Sequence, residues 1–131
     1  MGVSVTRPAL RYHGGKFRLA PWTMRFFPPH TCYTEAYGGA AGVLLQKPRA
    51  YAEVYNDLDG DIVNFFRVLR DPSTRGALVD ACALTPYARE EFDLAWQHTD
   101  DAVERARRTA VRASMGFGSA SATKRSSGFR I

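Results

Sequence analysis

The stretch Cys32-Tyr33-Thr34-Glu35-Ala36-Tyr37-Gly38-Gly39-Ala40-Ala41-Gly42 decides how this chain folds. Its first six residues are rich in aromatic and β-branched types and read as a strand. Gly38-Gly39 then permits a tight turn and lets a ligand approach the backbone. Ala40 to Gln46 is a small, apolar run that predicts a buried helix, closed by Pro48. Tyr51-Ala52-Glu53-Val54-Tyr55 reads as a second short strand. Asp57, Asp59 and Asp61 follow, acids suited to capping a helix and to its dipole. Ile62, Phe65, Phe66 and Leu69 then recur at helical spacing. Strand, glycine turn, helix, strand, acidic turn and helix make the opening half of an α/β nucleotide-binding fold with parallel strands.

Towards the N-terminus, residues 7–20 read as a loop, opened by Arg7-Pro8 and bent at Gly14-Gly15. Pro21 to Phe27 predicts a short helix with proline in its first turn, stopped by Pro28-Pro29. Beyond residue 71 the pattern is helical. Pro72 opens one helix through Leu84. Thr85-Pro86 reads as the cap and first turn of a second, running to about His98. Ala102 to Met115 is a third, with Val103, Ala106, Ala110, Val111 and Ser114 as its weakly apolar side. Gly116 to Ile131 is rich in Gly and Ser and reads as a flexible or ligand-ordered basic tail. The chain thus divides into a βαβ portion at 1–71, a helical portion at 72–115 and the tail at 116–131. Only two parallel strands are visible, and such sheets are normally larger and covered on both faces. Exposed apolar surface on the strands is therefore expected, with marginal stability or association.

The 131 residues, 45% hydrophobic and 24% charged, suit one ordinary globular domain and exclude a large two-domain enzyme. No run approaches the ~20 apolar residues of a membrane helix. Met1-Gly2-Val3-Ser4 has no signal-peptide core. Cys32 and Cys82 give no disulfide framework, so a cytoplasmic location is expected. His13, His30, His98, Cys32 and Cys82 show no metal-ligand spacing. Charge is distributed in blocks: +6 over residues 1–49, −8 over 50–104 and +7 over 105–131. Fifteen of the eighteen basic residues are arginine, which binds phosphate bidentately. The basic ends suit either nucleic acid or a solvated basic surface.

The glycine cluster gains meaning from Asp57, twenty residues beyond Tyr37 and just after the second strand. A carboxylate there meets ribose hydroxyls in nucleoside-binding α/β folds. The dinucleotide pattern G-x-G-x-x-G is absent, and Gly14-Gly15-Lys16 is followed by Phe17, so it is no phosphate loop. Glu35, low in the turn, would repel a phosphate but could accept from an ammonium group. That combination points to S-adenosylmethionine, which has an amino group, a sulfonium and a ribose. Glu35 could equally be an edge-strand acid facing solvent.

These residues resemble a family. Arg11-Tyr12-His13-Gly14-Gly15-Lys16 is similar to the aromatic-x-Gly-Gly-Lys box of Dam-type adenine-specific DNA methyltransferases. Glu35-Ala36-Tyr37-Gly38-Gly39-Ala40 resembles their E-P-F-x-G-x-G cofactor loop, with Ala36 where proline is usual. Tyr55-Asn56-Asp57-Leu58-Asp59-Gly60-Asp61 resembles their acidic box, and all three stand in the family's order. Gly116-Phe117-Gly118 and Gly128-Phe129-Arg130 resemble phage and prophage members. The resemblance implies a partial Rossmann-like, S-adenosylmethionine-dependent methyltransferase fold with a helical second half. It implies a cofactor site at Tyr12, His13, Gly14, Lys16, Glu35, Ala36, Tyr37, Gly38, Gly39, Asp57 and Leu58. Tyr12 would lie against the adenine or the methionine end, and Lys16 would touch cofactor or shape the catalytic pocket. Glu35 and the backbone at Tyr37–Gly39 would hold the methionine portion. Asp57 would take the ribose, and Leu58 would pack on the cofactor adenine.

The resemblance also implies double-stranded DNA as partner, no metal, and DNA phosphate within reach of Lys124, Arg125 and Arg130. The family places its chemistry on a D-P-P-Y-type motif, whose aromatic stacks on the extruded base. Asp71-Pro72-Ser73-Thr74 lacks the second proline and the aromatic, and Thr85-Pro86-Tyr87 lacks the acid. No catalytic residue is therefore assigned. The expectation is an N-terminal, truncated or split part of the enzyme, inactive alone, which a second chain could complete. Alternatives are a non-catalytic nucleic-acid-binding or partner-binding module and, least favoured, a nucleotide-dependent oxidoreductase.

Overall fold

A computed structural model describes residues 4–118 and 128–131. Among them the elements run α1 (Ala20–Met24), β1 (Cys32–Glu35), β2 (Ala52–Tyr55), α2 (Gly60–Arg70), α3 (Pro72–Ala83), α4 (Arg89–Leu94) and α5 (Ala102–Met115). β1 and β2 pair in parallel, with Cys32 opposite Ala52 and Glu35 opposite Tyr55. A parallel pair needs a crossover of a dozen or more residues, and residues 36–51 supply it.

That crossover corrects one expectation. Ala40 to Gln46 is a run of turns, not a helix. Ala41 sits in the left-handed region at φ +53°, which costs an L-residue roughly 1–2 kcal/mol and breaks a right-handed helix. The amide of Leu44, which a helix would direct to the Ala40 carbonyl, instead donates to Glu35 Oε1 at 2.6 Å. The run is buried as expected, at Ala40, Ala41 and Val43. Three smaller differences follow from local bonds. α1 stops at Met24, three residues before Phe27. Thr85 does not cap α4: its hydroxyl donates to the Ala81 carbonyl and accepts from Arg107, so α4 begins only at Arg89 and stops at Leu94, short of His98. Gly116 and Phe129 form an antiparallel bridge, and Phe129 packs into a core, so the described ends of the tail are ordered against α5.

The helices build the core. Ile62, Phe65 and Val68 of α2 meet Leu78 of α3, Ala106 and Ala113 of α5, and Leu10 from the N-terminal loop. A second cluster joins Phe92 and Ala95 to Val111 and Met115, with Trp96 and Phe129 against it. α5 thus packs on α2, α3 and α4. Its buried face includes Arg107, Thr109 and Arg112, whereas Ser114 is exposed, contrary to the sequence reading. Val54 of β2 is 46% exposed, and Tyr51, which the sequence placed in that strand but which precedes it, is almost fully so. Among the described residues no helix is long and apolar enough to cross a membrane.

Aspartates start three of the helices. Asp59, Asp71 and Asp101 accept from the amides of Asp61, Ser73 and Glu104 in α2, α3 and α5. Asp101→Ala is expected to cost about 1 kcal/mol. Urea unfolding should show a lower midpoint at an unchanged slope.

Candidate functional site

A cleft of about 460 Å³ opens beyond the carboxyl ends of β1 and β2, where open α/β sheets hold their ligands. One wall is the N-terminal loop, Tyr12, His13, Gly14, Gly15 and Lys16; the other is Glu35 through Ala40, with Asp57 at the end. The structure therefore brings ten of the eleven expected cofactor residues to one place. Leu58 is the exception: the residue is 91% exposed and does not line the cleft. Of the basic residues assigned to DNA, Lys124 and Arg125 lie outside the described residues. Arg130 is exposed, and its backbone is tied to Met115 and Tyr87.

The glycine turn is held from below by the end of β2. Gly38 N–H donates to the Asn56 carbonyl at 2.8 Å, and Asn56 Nδ2 donates to the Ala36 carbonyl at 2.9 Å. Asp57 accepts from Gly39 N–H at 2.8 Å with one oxygen and from Asp59 N–H at 2.9 Å with the other. Its carboxylate thus organises the turn, and its remaining lone pairs could still accept from a diol. The Tyr55 hydroxyl donates to the Gly39 carbonyl at 2.6 Å. Two rings fix both glycines. A Cβ on Gly38 would lie 2.2 Å from the Tyr55 ring. Gly39 has φ +48°, and a Cβ there would lie 2.9 Å from the Tyr12 ring.

Glu35 is not a solvent-facing edge acid. Its Oε1 accepts from Leu44 N–H and, at 3.0 Å, from the Tyr33 hydroxyl. Among the described residues its Oε2 makes no hydrogen bond, so one oxygen serves the fold and one is available. The phenols of Tyr12, Tyr33 and Tyr55 are all pushed above the ordinary tyrosine range, first by burial. Nearby carboxylates add to this: Asp59 for Tyr12, Glu35 for Tyr33 and Asp57 for Tyr55. All three stay protonated donors at neutral pH. The cleft is therefore a largely apolar slot with aromatic edges, carrying two carboxylates, Glu35 and Asp57, and Lys16 on the opposite wall. Its carboxylates can accept from cationic and hydroxyl donors, and its aromatic edges can meet a flat ring. Among the described residues no group of three or more His, Cys, Asp or Glu could hold a metal ion.

The sequence profile of the D12 class N6 adenine-specific DNA methyltransferase matches residues 12–116, from the tyrosine of the cleft wall to the glycine that caps α5. The chain belongs to this family. No curated protein matches the sequence. A D12-class methyltransferase transfers a methyl group to adenine N6, and such enzymes generally draw it from S-adenosylmethionine.

Several residues that shape the cleft escaped the sequence reading. Tyr55, Asn56 and Asp59 were legible only as strand end, box filler and helix cap. Gln46 donates to the Phe17 carbonyl at 2.8 Å and the Gly42 carbonyl at 2.7 Å, tying the N-terminal loop to the turn. Nothing in local sequence pairs residues 29 positions apart.

Proposed function

We propose that this chain is the S-adenosylmethionine-binding portion of a DNA adenine N6-methyltransferase, with the chemical step dependent on a D-P-P-Y-type motif that this sequence lacks. The observation that carries the proposal is the single cleft that gathers Tyr12–Lys16, Glu35–Gly39 and Asp57. Its volume falls within the ~300–1,000 Å³ of small-molecule sites. The donor set also fits: the available oxygen of Glu35 for an ammonium, Asp57 for a ribose diol, and Tyr12 and Tyr37 for flat or sulfonium-bearing parts. The positive sulfonium favours aromatic faces.

When bound, S-adenosylmethionine supplies the electrophilic methyl group. The chain's own residues bind and orient it, holding the reacting carbon in line for an incoming adenine nitrogen. The exocyclic amine would be held elsewhere, by the absent motif. Asp71-Pro72 does not stand in for that motif: Asp71 Oδ1 accepts from both the amide and the hydroxyl of Ser73 as a helix cap. Double-stranded DNA is the substrate in this reading, approached by the basic ends, with the catalytic motif contributed by further sequence or a second chain.

Calorimetric titration of S-adenosylmethionine tests the proposal. Saturable binding is expected, weakened roughly tenfold or more by Glu35→Gln and by Asp57→Asn. Failure of the folded native chain to bind would overturn it. Competition by S-adenosylhomocysteine but not by NAD separates it from the oxidoreductase alternative.

A further inference from the structure

We propose that Asp59 is a positioning residue for the cofactor cleft, acting through Tyr12; the inference rests on the cofactor reading above. The N-terminal loop forms one wall of the cleft and is held at two points. At its far end Gln46 grips the Phe17 carbonyl. At its near end the Tyr12 hydroxyl donates to Asp59 Oδ2 at 3.1 Å. Between them, among the described residues, Gly15 N–H donates to the Tyr12 carbonyl, Lys16 Nζ to the Gly14 carbonyl and Leu19 N–H to the Lys16 carbonyl, all local to this stretch of chain. None of the three ties the wall to the glycine turn opposite.

Asp59 divides its two oxygens between two tasks. Oδ1 accepts from Asp61 N–H at 3.0 Å and caps α2; Oδ2 holds Tyr12. The wall is thereby referred to α2, whose Ile62 is fully buried and whose Phe65 is nearly so. A carboxylate acceptor makes the stronger, charge-assisted kind of hydrogen bond. Burial and the Asp59 charge hold the Tyr12 phenol protonated, so the donor persists through the neutral range. The ring so placed covers Gly39 at the mouth of the turn. A wall fixed before the ligand arrives lowers the ordering cost of binding.

Capping and positioning separate by mutation. Serine caps as well as aspartate but has no second oxygen for Tyr12. Asparagine can cap with its carbonyl and donate its amide to the phenol oxygen. The experiment compares Tyr12→Phe, Asp59→Ser, the double variant and Asp59→Asn. The readouts are S-adenosylmethionine affinity, thermal midpoint and tryptic cleavage after the exposed Lys16. Each single variant is expected to bind about fivefold more weakly, with midpoints near native and faster cleavage after Lys16. The double variant should lose no more than a single one, and Asp59→Asn should recover most of the affinity. Native affinity in both single variants, additive losses, or losses that track the midpoint would overturn the proposal. If the folded native chain binds no S-adenosylmethionine, the cofactor reading falls and cleavage after Lys16 decides the role of Asp59 alone. Non-additive acceleration in the two variants upholds it; native cleavage rates overturn it.

Discussion

Gly38→Ala is expected to lower the thermal midpoint by about 10 °C, an overpacking cost near 3 kcal/mol, and to abolish cofactor binding. The added methyl would meet the Tyr55 ring at 2.2 Å, far inside contact distance. Tyr55 cannot simply swing aside. Its hydroxyl is bonded to the Gly39 carbonyl, and its ring packs edge-on against Phe66 with centroids 5.3 Å apart. The turn must therefore move, and with it the amides that Asp57 and Asn56 hold. Adding Tyr55→Leu should restore much of the midpoint by making room. It should not restore binding, because the bond that shapes the turn is gone. Additive midpoints in the double variant would show that Gly38 and Tyr55 do not meet.

Arg107→Ala carries the other large effect, a loss of about 3 kcal/mol from a total stability of roughly 5–15 kcal/mol. Arg107 is buried on α5, and its guanidinium donates to Glu104 twice, to Glu91 and to Thr85, each at 2.8–3.0 Å. It thereby joins α5 to α4 and to the end of α3. Removal leaves the partly buried Glu91 without its cation and Glu104 with Arg108 alone. The same network predicts acid sensitivity. Bonds from Arg107, followed by Arg108, pull the Glu104 carboxyl down to about 2 from its ordinary value near 4.5. A depressed carboxyl contributes stability that is complete above its unfolded value and is lost as pH falls towards its folded one. Urea midpoints of the native chain should therefore fall between about pH 5 and pH 2. Arg107→Ala should show a shallower fall over that range. A parallel pH profile in the two proteins would contradict this assignment.

How much of this was legible in the sequence depends on the range of the interaction. Both strands, the Asp59 cap, and helices α2, α3 and α5 follow from local composition and spacing, and they stand close to where those signals put them. The helix expected at Ala40–Gln46 failed because a long-range acceptor, Glu35, captured the Leu44 amide. Small apolar residues alone could not reveal that. Arg107 and Arg112, counted only as part of the basic block at 105–131, went unrecognised as buried for a related reason. Arginine on a helix normally signals a wet face, yet Arg112 is buried, with bonds to the Ala95 carbonyl and Asp61. The motifs of the cleft were visible because each is a contiguous stretch. The holding roles of Tyr12, Tyr55 and Gln46 were not, because those roles exist only once distant segments meet.

The most direct test is to titrate S-adenosylmethionine into the isotopically labelled chain and follow backbone amide shifts by NMR. The account predicts saturable changes concentrated at residues 12–16, 35–40 and 57, with α3 and α4 unmoved. An unperturbed spectrum from a folded chain, or changes centred on the helical half, would contradict it.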